Sequence, residues 1–231
     1  MKRTSSRINS EKEIAIKKYF LNKTEYWVKG KNPTLLIVSG MHGDEYQIID
    51  LISRYISKNF QTMPDFLYIP FFSPSAVAKR KRVNRCGNDL NRSFKKRIVD
   101  KEAQTIEKII SSRKFSLFIE WHEDLERAKE FYYYDNKKLS GKKKSQLKKL
   151  ITASGAISYN GLDDVNDPDL GLKATGGYIK WPRKSPMAGF FCDWVVTQGF
   201  VKQAVNPEVP GIASLKLKKK LIEKLFPFFI N

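Results

Sequence analysis

The sequence predicts a single α/β domain with a mixed, mostly parallel sheet and helices on both faces. Three observations lead there. The apolar runs Leu35 to Val38, Phe66 to Ile69 and Leu117 to Ile119 have the length and branching of strands buried on both sides. Between them stand stretches of helical period, with Ile48, Ile52, Tyr55 and Ile56 on one face and then Ala103, Ile106, Ile109 and Ile110 on another. Strands alternating with helices in this way wind a parallel sheet covered on both faces. A chain of 231 residues can close one such domain around a full core. It is expected to divide into a lead-in and edge element over 1–30 and the main domain over 31–231.

In order, Met1 to Asn9 read as a frayed basic lead-in, and Glu11 to Phe20 fit a helix or a strand. Tyr26 to Val28 fit an edge strand before the turn Lys29 to Pro33. The strand Leu35 to Val38 and its helix follow, then the strand Phe66 to Ile69, ended by Pro70. Phe71 to Phe94 is a long charged connection; loops of this length inside compact domains are functional or disordered. Lys101 to Ser111 is a helix, Leu117 to Ile119 a buried strand, and Phe131 to Tyr134 a short strand. Leu139 to Ile151 is a basic amphipathic helix, Gly155 to Thr175 is irregular, and Pro186 to Gly199 is helical around Trp194. Ala204 to Val205 mark a strand end. The last helix, Ile212 to Leu225, should bury Leu215, Leu221, Ile222 and Leu225 and expose Lys218-Lys219-Lys220. No internal repeat or linker is visible.

Apolar content of 41% with 13% aromatics indicates a globular protein. The formal charge of +19 admits anionic partners such as nucleic acid, a membrane surface or acidic small molecules, and a Lys- and Ile-rich composition bias accounts for it equally well. Cys86 and Cys192 are the only cysteines, which excludes a disulfide framework and fits a reducing compartment. The first thirty residues lack the apolar core of a signal peptide, and no stretch has the length of a membrane span. A cytoplasmic location is the expectation.

Chemistry concentrates in Val38-Ser-Gly-Met-His42-Gly43-Asp-Glu45, where a buried strand empties into a polar turn and then a helix. Open α/β sheets place ligands at the carboxyl ends of their strands. His42 and Glu45 can aim at one point there, and Gly43 lets the backbone pass close to whatever the histidine holds. The only other histidine, His122, leaves a second buried strand. Each histidine alone is more readily a hydrogen-bonded core residue. Together, with one carboxylate, they match a two-histidine, one-carboxylate catalytic zinc site. Glu120, Glu123 and Asp124 flank His122 as alternative ligands, and Glu120 shares its face in a strand. A second motif, Arg82-Val-Asn84-Arg-Cys-Gly-Asn88-Asp89-Leu-Asn91-Arg92, offers arginine forks and asparagine donors suited to a carboxylate. Its bland alternative is a solvated basic loop.

These two motifs, with the strand-end His122 and a late glutamate, resemble the zinc carboxypeptidase superfamily. The similarity runs from about Leu35 to Pro210 and is nearest the bacterial murein peptide amidase branch, beside the succinylglutamate desuccinylase and aspartoacylase branch. It implies one zinc per chain held by His42, Glu45 and His122, with Asp89 orienting the first histidine. It implies that Arg82 polarises the scissile carbonyl, that Asn91 and Arg92 anchor a substrate carboxylate, and that Glu208 is the general base. Pro207 beside that base departs from the family pattern. The substrate-capping tyrosine has Tyr178 as its nearest counterpart, and Cys192 is either a pocket residue or a buried structural thiol.

The resemblance implies zinc-dependent hydrolysis of an amide bond beside a free carboxylate, as in a carboxypeptidase or peptide amidase, with muropeptide fragments among the substrates. The alternative is an N-acyl amino acid deacylase of the desuccinylase and aspartoacylase kind. A third reading, of another class, is a non-catalytic basic domain whose lysines at 142–144, 148–149 and 218–220 contact phosphates. Those lysines fall on amphipathic helices whose outer faces are solvated anyway, and no nucleic-acid module is present. The expected partner is therefore a small peptide or N-acyl amino acid, with no membrane and no nucleic acid. The sequence leaves the oligomeric state open.

Overall fold

A computed structural model describes residues 15–95, 97–164, 166, 170–181 and 189–231. The expected lead-in Met1 to Asn9 and the start of the Pro186 to Gly199 segment lie outside the described residues. The elements are β1 (Ile16–Leu21), β2 (Thr24–Lys29), β3 (Leu35–Val38), α1 (Tyr46–Asn59), β4 (Phe66–Ile69) and α2 (Pro74–Lys79). Then come α3 (Lys101–Ile110), β5 (Phe115–Glu120), β6 (His122–Asp124), β7 (Glu130–Asp135) and α4 (Gly141–Ser154). The chain continues through β8 (Ile157–Ser158), β9 (Gly161–Leu162), β10 (Lys173–Ala174), β11 (Tyr178–Lys180), α5 (Phe191–Thr197), β12 (Val201–Pro210) and α6 (Leu215–Ile230).

The main sheet runs β1-β2-β4-β3-β5-β12-β7-β11, with β6 also on β12 and β8 on β7. Its centre, β4-β3-β5-β12, is parallel. The hairpin β1-β2 joins β4 antiparallel, and β7 returns antiparallel along β12. The apolar runs are buried on both faces because each face meets helices. Leu36, Val38, Leu67, Ile69 and Phe118 pack with α3 and α5. Leu35, Ile37, Phe66, Tyr68 and Ile119 pack with α1, α4 and α6. Each such aliphatic or aromatic side chain contributes about 1.5–3 kcal/mol by leaving water.

Three details differ from the sequence reading, each for a physical reason. The edge strand is β1, and β2 lies inside it with partners on both sides. Strand β12 does not end at Val205 but runs ten residues through Asn206-Pro207-Glu208. Proline is tolerated there because its neighbour changes at that point. Residues up to Val205 pair with β5 and pairing resumes with β6 at Glu208, while on the other side Pro207 stands opposite Tyr133 of β7, whose amide turns away to Gly177 O, so no ladder donor is needed at Pro207. In α6, Leu215 is 56% exposed while Lys218 is 1% exposed, the reverse of what its lysine run suggests. Among the described residues no helix is long and apolar enough to cross a membrane.

Candidate metal centre and active site

Strand β3 ends at Val38, and the turn after it is tightly built. Gly43 has no room for a side chain: a Cβ would sit 2.0 Å from the Ala76 carbonyl oxygen, and its amide donates to Lys81 O at 2.9 Å. The close approach is therefore to the end of α2 rather than to anything His42 holds. Glu45 occupies the N-cap position of α1 yet caps nothing with its side chain. Glu123 accepts from the Ile48 amide instead, at 3.3 Å. That substitution frees the Glu45 carboxylate to face the histidines.

His122 reaches the same point from the neighbouring strand. Chain pairing of β3 with β5 runs to Val38 opposite Glu120, and the Trp121 amide closes on Val38 O at 3.0 Å. The next residue, His122, lies past the end of β3, where β6 begins against β12. His42 Nδ1 lies 2.5 Å from Glu45 Oε1, and His122 Nδ1 lies 2.9 Å from Glu45 Oε2. The ring centroids are 5.2 Å apart. One ligand atom from each of the three residues falls within 4.8 Å of the others, and all three residues are buried. This donor set can hold a metal ion.

The electrostatics favour positive charge at that point. Burial alone would push both imidazoles down, yet Glu45, with Asp89 for His42 and Glu120 for His122, raises them. Burial alone would push Glu45 up, and the two histidines hold it well below the usual carboxylate range. A buried site that draws protons onto its histidines and away from its carboxylate is arranged to receive a cation.

The Arg82 to Arg92 loop closes one side. Asn84 donates to Asp100 Oδ2 at 2.7 Å, as does Asn88, and Asp100 also caps α3 through the Glu102 and Ala103 amides. Asn84 and Asn88 thereby tie the loop to a helix end, while Arg82 and residues 85–88 stay exposed to solvent. Asp89 accepts from His42 Nε2 across 3.2 Å and pairs with Arg82 Nη2 at 3.1 Å; Arg92 Nε lies 3.8 Å away. Burial would raise the Asp89 carboxyl, but His42, Arg82 and Arg92 together hold it well down. Asn91 is buried, with its side-chain oxygen accepting from the Phe191 amide at 3.2 Å. The Arg92 guanidinium lies 4.5 Å above the Phe190 ring centre.

Glu208 faces His122 across the β12–β6 register. Burial pushes its carboxyl up to about 8, with Glu45 and Asp124 adding and the two histidines opposing. A cavity of about 560 Å³ joins these groups: His42, Glu45, Arg82, Asp89, Asn91, Arg92, His122 and Glu208 all line it. Glu120 lies at the other edge of His122, 3.5 Å from Nε2, and Glu123 pairs with Lys218 at 2.5 Å. Asp124 accepts from the Tyr132 hydroxyl at 2.9 Å. None of these alternative carboxylates belongs to the converging group of three.

Tyr178 does not join the cleft. Its ring packs against Tyr133 in the opposite core, and its hydroxyl donates to Lys137 O at 2.9 Å. The aromatic wall comes instead from Tyr132, Tyr134 and Trp181. The first two belong to the apolar run Phe131 to Tyr134, whose burial on both faces erased the alternation that would have marked them. Asn206 was equally legible in principle, since it lies two residues before Glu208 and so on the same strand face. Cys192 is both buried and at the cavity wall, and burial pushes its thiol well up.

Residues 31–129 match the catalytic-domain model of the succinylglutamate desuccinylase/aspartoacylase family. A suspected metallopeptidase from Shewanella amazonensis aligns with TM-score 0.69 and 18% identity, covering 94% of this chain and 86% of that one. The fold is that of the zinc carboxypeptidases. A metallo-carboxypeptidase from Burkholderia cenocepacia (TM-score 0.57, 13% identity) covers 89% of this chain and 60% of its own. A succinylglutamate desuccinylase from Silicibacter sp. TM1040 (TM-score 0.54, 14% identity) covers 94% and 65%. No curated protein sequence matches the chain. The family match and these neighbours support the superfamily that the motifs resemble, and at such identities the neighbours speak for the fold.

Proposed function

We propose that the chain is a zinc-dependent hydrolase that cleaves an amide bond beside a free carboxylate, as a carboxypeptidase or peptide amidase does. One observation carries the reading. Both histidines and Glu45 converge in a single cavity that also holds Glu208 and the Asp89-braced arginines. His42, Glu45 and His122 would hold one zinc. When bound, zinc supplies Lewis acidity toward a carbonyl oxygen and acidifies water at neutral pH. Arg92, with Asn91 beside it, grips the terminal carboxylate and so sets which amide is presented. Arg82 stabilises negative charge developing on the scissile carbonyl oxygen. Glu208, whose carboxyl burial raises and a bound cation would lower again, takes a proton from the attacking water and delivers it to the amide nitrogen as the C–N bond breaks. Asp89 keeps His42 turned and Arg82 in place.

The family match over 31–129 favours a second reading, hydrolysis of an N-acyl amino acid with the same groups in the same roles. The two readings differ in what fills the aromatic wall. A panel of peptides, muropeptide fragments and N-acyl amino acids, each with its carboxylate free or amidated, tests them with and without chelator. Chelator-sensitive release from free-carboxylate peptides is the expected result. Turnover confined to N-acyl amino acids would select the second reading, and turnover indifferent to chelator would overturn both.

A further inference from the structure

Glu120 has no solvent exposure, and among the described residues its side chain's direct hydrogen bond is from Asn206 Nδ2 to Oε2, at 2.6 Å. Its other oxygen, Oε1, is buried without a partner, and so is His122 Nε2. These two unpartnered atoms face each other at 3.5 Å. A carboxylate removed from water is costly unless something cationic stands opposite it. His42 shows the same arrangement on the other side of the centre, with Nδ1 turned to Glu45 and Nε2 to Asp89.

We propose that Glu120 is a positioning residue of the metal centre: it accepts the Nε2 proton of His122 and so leaves Nδ1 free for the metal, with Asn206 as the clamp that holds Glu120. The proposal rests on the metal-centre reading above and adds a residue to it. A metal-bound imidazole is commonly held by a carboxylate at its other nitrogen, which fixes tautomer and ring angle. Glu120 ends β5 and His122 begins β6, so they project to the same side, as residues two apart on a strand do. Asn206 arrives from β12 in the interval between its pairing with β5 and with β6, which opens space for its side chain to cross to Glu120. The role also explains why Glu120 is no ligand itself: it lies against the edge of the ring away from Glu45.

Zinc affinity of the full chain, measured by competition with a chromophoric chelator, tests this. Glu120→Gln should weaken zinc binding about 10–100-fold, and Asn206→Ala should weaken it less, in the same direction. The zinc-free Glu120→Gln protein should melt no lower than the wild type, because it loses a buried charge. The chain has only two histidines, so imidazole nitrogen spectra resolve His122. In zinc-loaded wild type its Nε2 proton should be protected from exchange, and in Glu120→Gln exposed. Wild-type zinc affinity in both variants, or an unchanged Nε2 proton, overturns the proposal while leaving the metal centre standing. A wild type that takes up no zinc overturns both. Should Glu120→Gln fail to fold, Asn206→Ala and its His122 spectrum decide.

Discussion

The cleft has two walls that differ in how they are built. The wall from β3, β5 and the Arg82 to Arg92 loop is cross-linked by carboxylates: Glu45 joins both histidines, Asp89 joins His42 to Arg82, and Asp100 ties the loop to α3. The facing wall, from β7, β12, Trp181 just past β11 and Phe190 just before α5, sets aromatic rings around Glu208, whose carboxyl burial raises to about 8. The first wall fixes charge and position; the second leaves a proton carrier in low dielectric. A hydrolase needs both, and the division predicts that damage to each wall reads out differently.

The largest effect should come from the second wall. Glu208→Gln is expected to lower kcat by about 10²–10⁴-fold with zinc content unchanged. Steady-state turnover beside metal analysis checks it, and undiminished turnover would move the base elsewhere. Next is the support behind the first wall. Lys218→Met leaves Glu123 buried and unpaired, which should cost about 3–5 kcal/mol in chemical denaturation. Replacing Glu123 as well, by Leu, should restore much of it. A single-variant cost near zero would mean that this pair is not what braces β6 and α1. Arg92→Ala should cost about 1.5–3 kcal/mol of transition-state binding on free-carboxylate substrates, the range for a charged hydrogen bond. Equal losses on amidated substrates would refute an anchoring role.

The smallest effect, and the sharpest contrast, is in pH. With chelator present, the two walls should respond with opposite sign. Asp89 is held below its usual range in the folded state, so its contribution is full above about pH 4 and lost as pH falls further. Glu208 is raised from the ordinary 4.5 to about 8, so its folded form binds a proton that the unfolded chain releases. Stability from that source is present below 4.5 and lost as pH rises through 8. Melting curves of wild type against Asp89→Asn and Glu208→Gln across pH 3–9 test the pair of signs. The same sign in both would erase the distinction between the walls.

Legibility in the sequence follows the same division. The first wall sits on short local motifs, so the strand Leu35 to Val38 and the spacing of His42, Glu45, Asp89 and Arg92 were readable. The second wall is assembled from residues far apart in the chain, and its aromatic members lie in a run whose two faces are both buried. There the nearest tyrosine by order, Tyr178, points into the other core. Lys218 was misread for a related reason: within a lysine-rich helix nothing local separates the one lysine that meets a buried glutamate from those that meet water. The strand was expected to end at Val205, ahead of Pro207, because a ladder vacancy between two partners is a tertiary fact.

The proposed chemistry depends on His42, Glu45 and His122 converging upon one cation. Zinc titration of the purified chain, followed by calorimetry and repeated on His122→Ala, tests that most directly. About one zinc per chain should bind tightly to the wild type, and the variant should lose most of that affinity. A wild type that takes up no zinc, or a variant that binds it equally well, would contradict the claim.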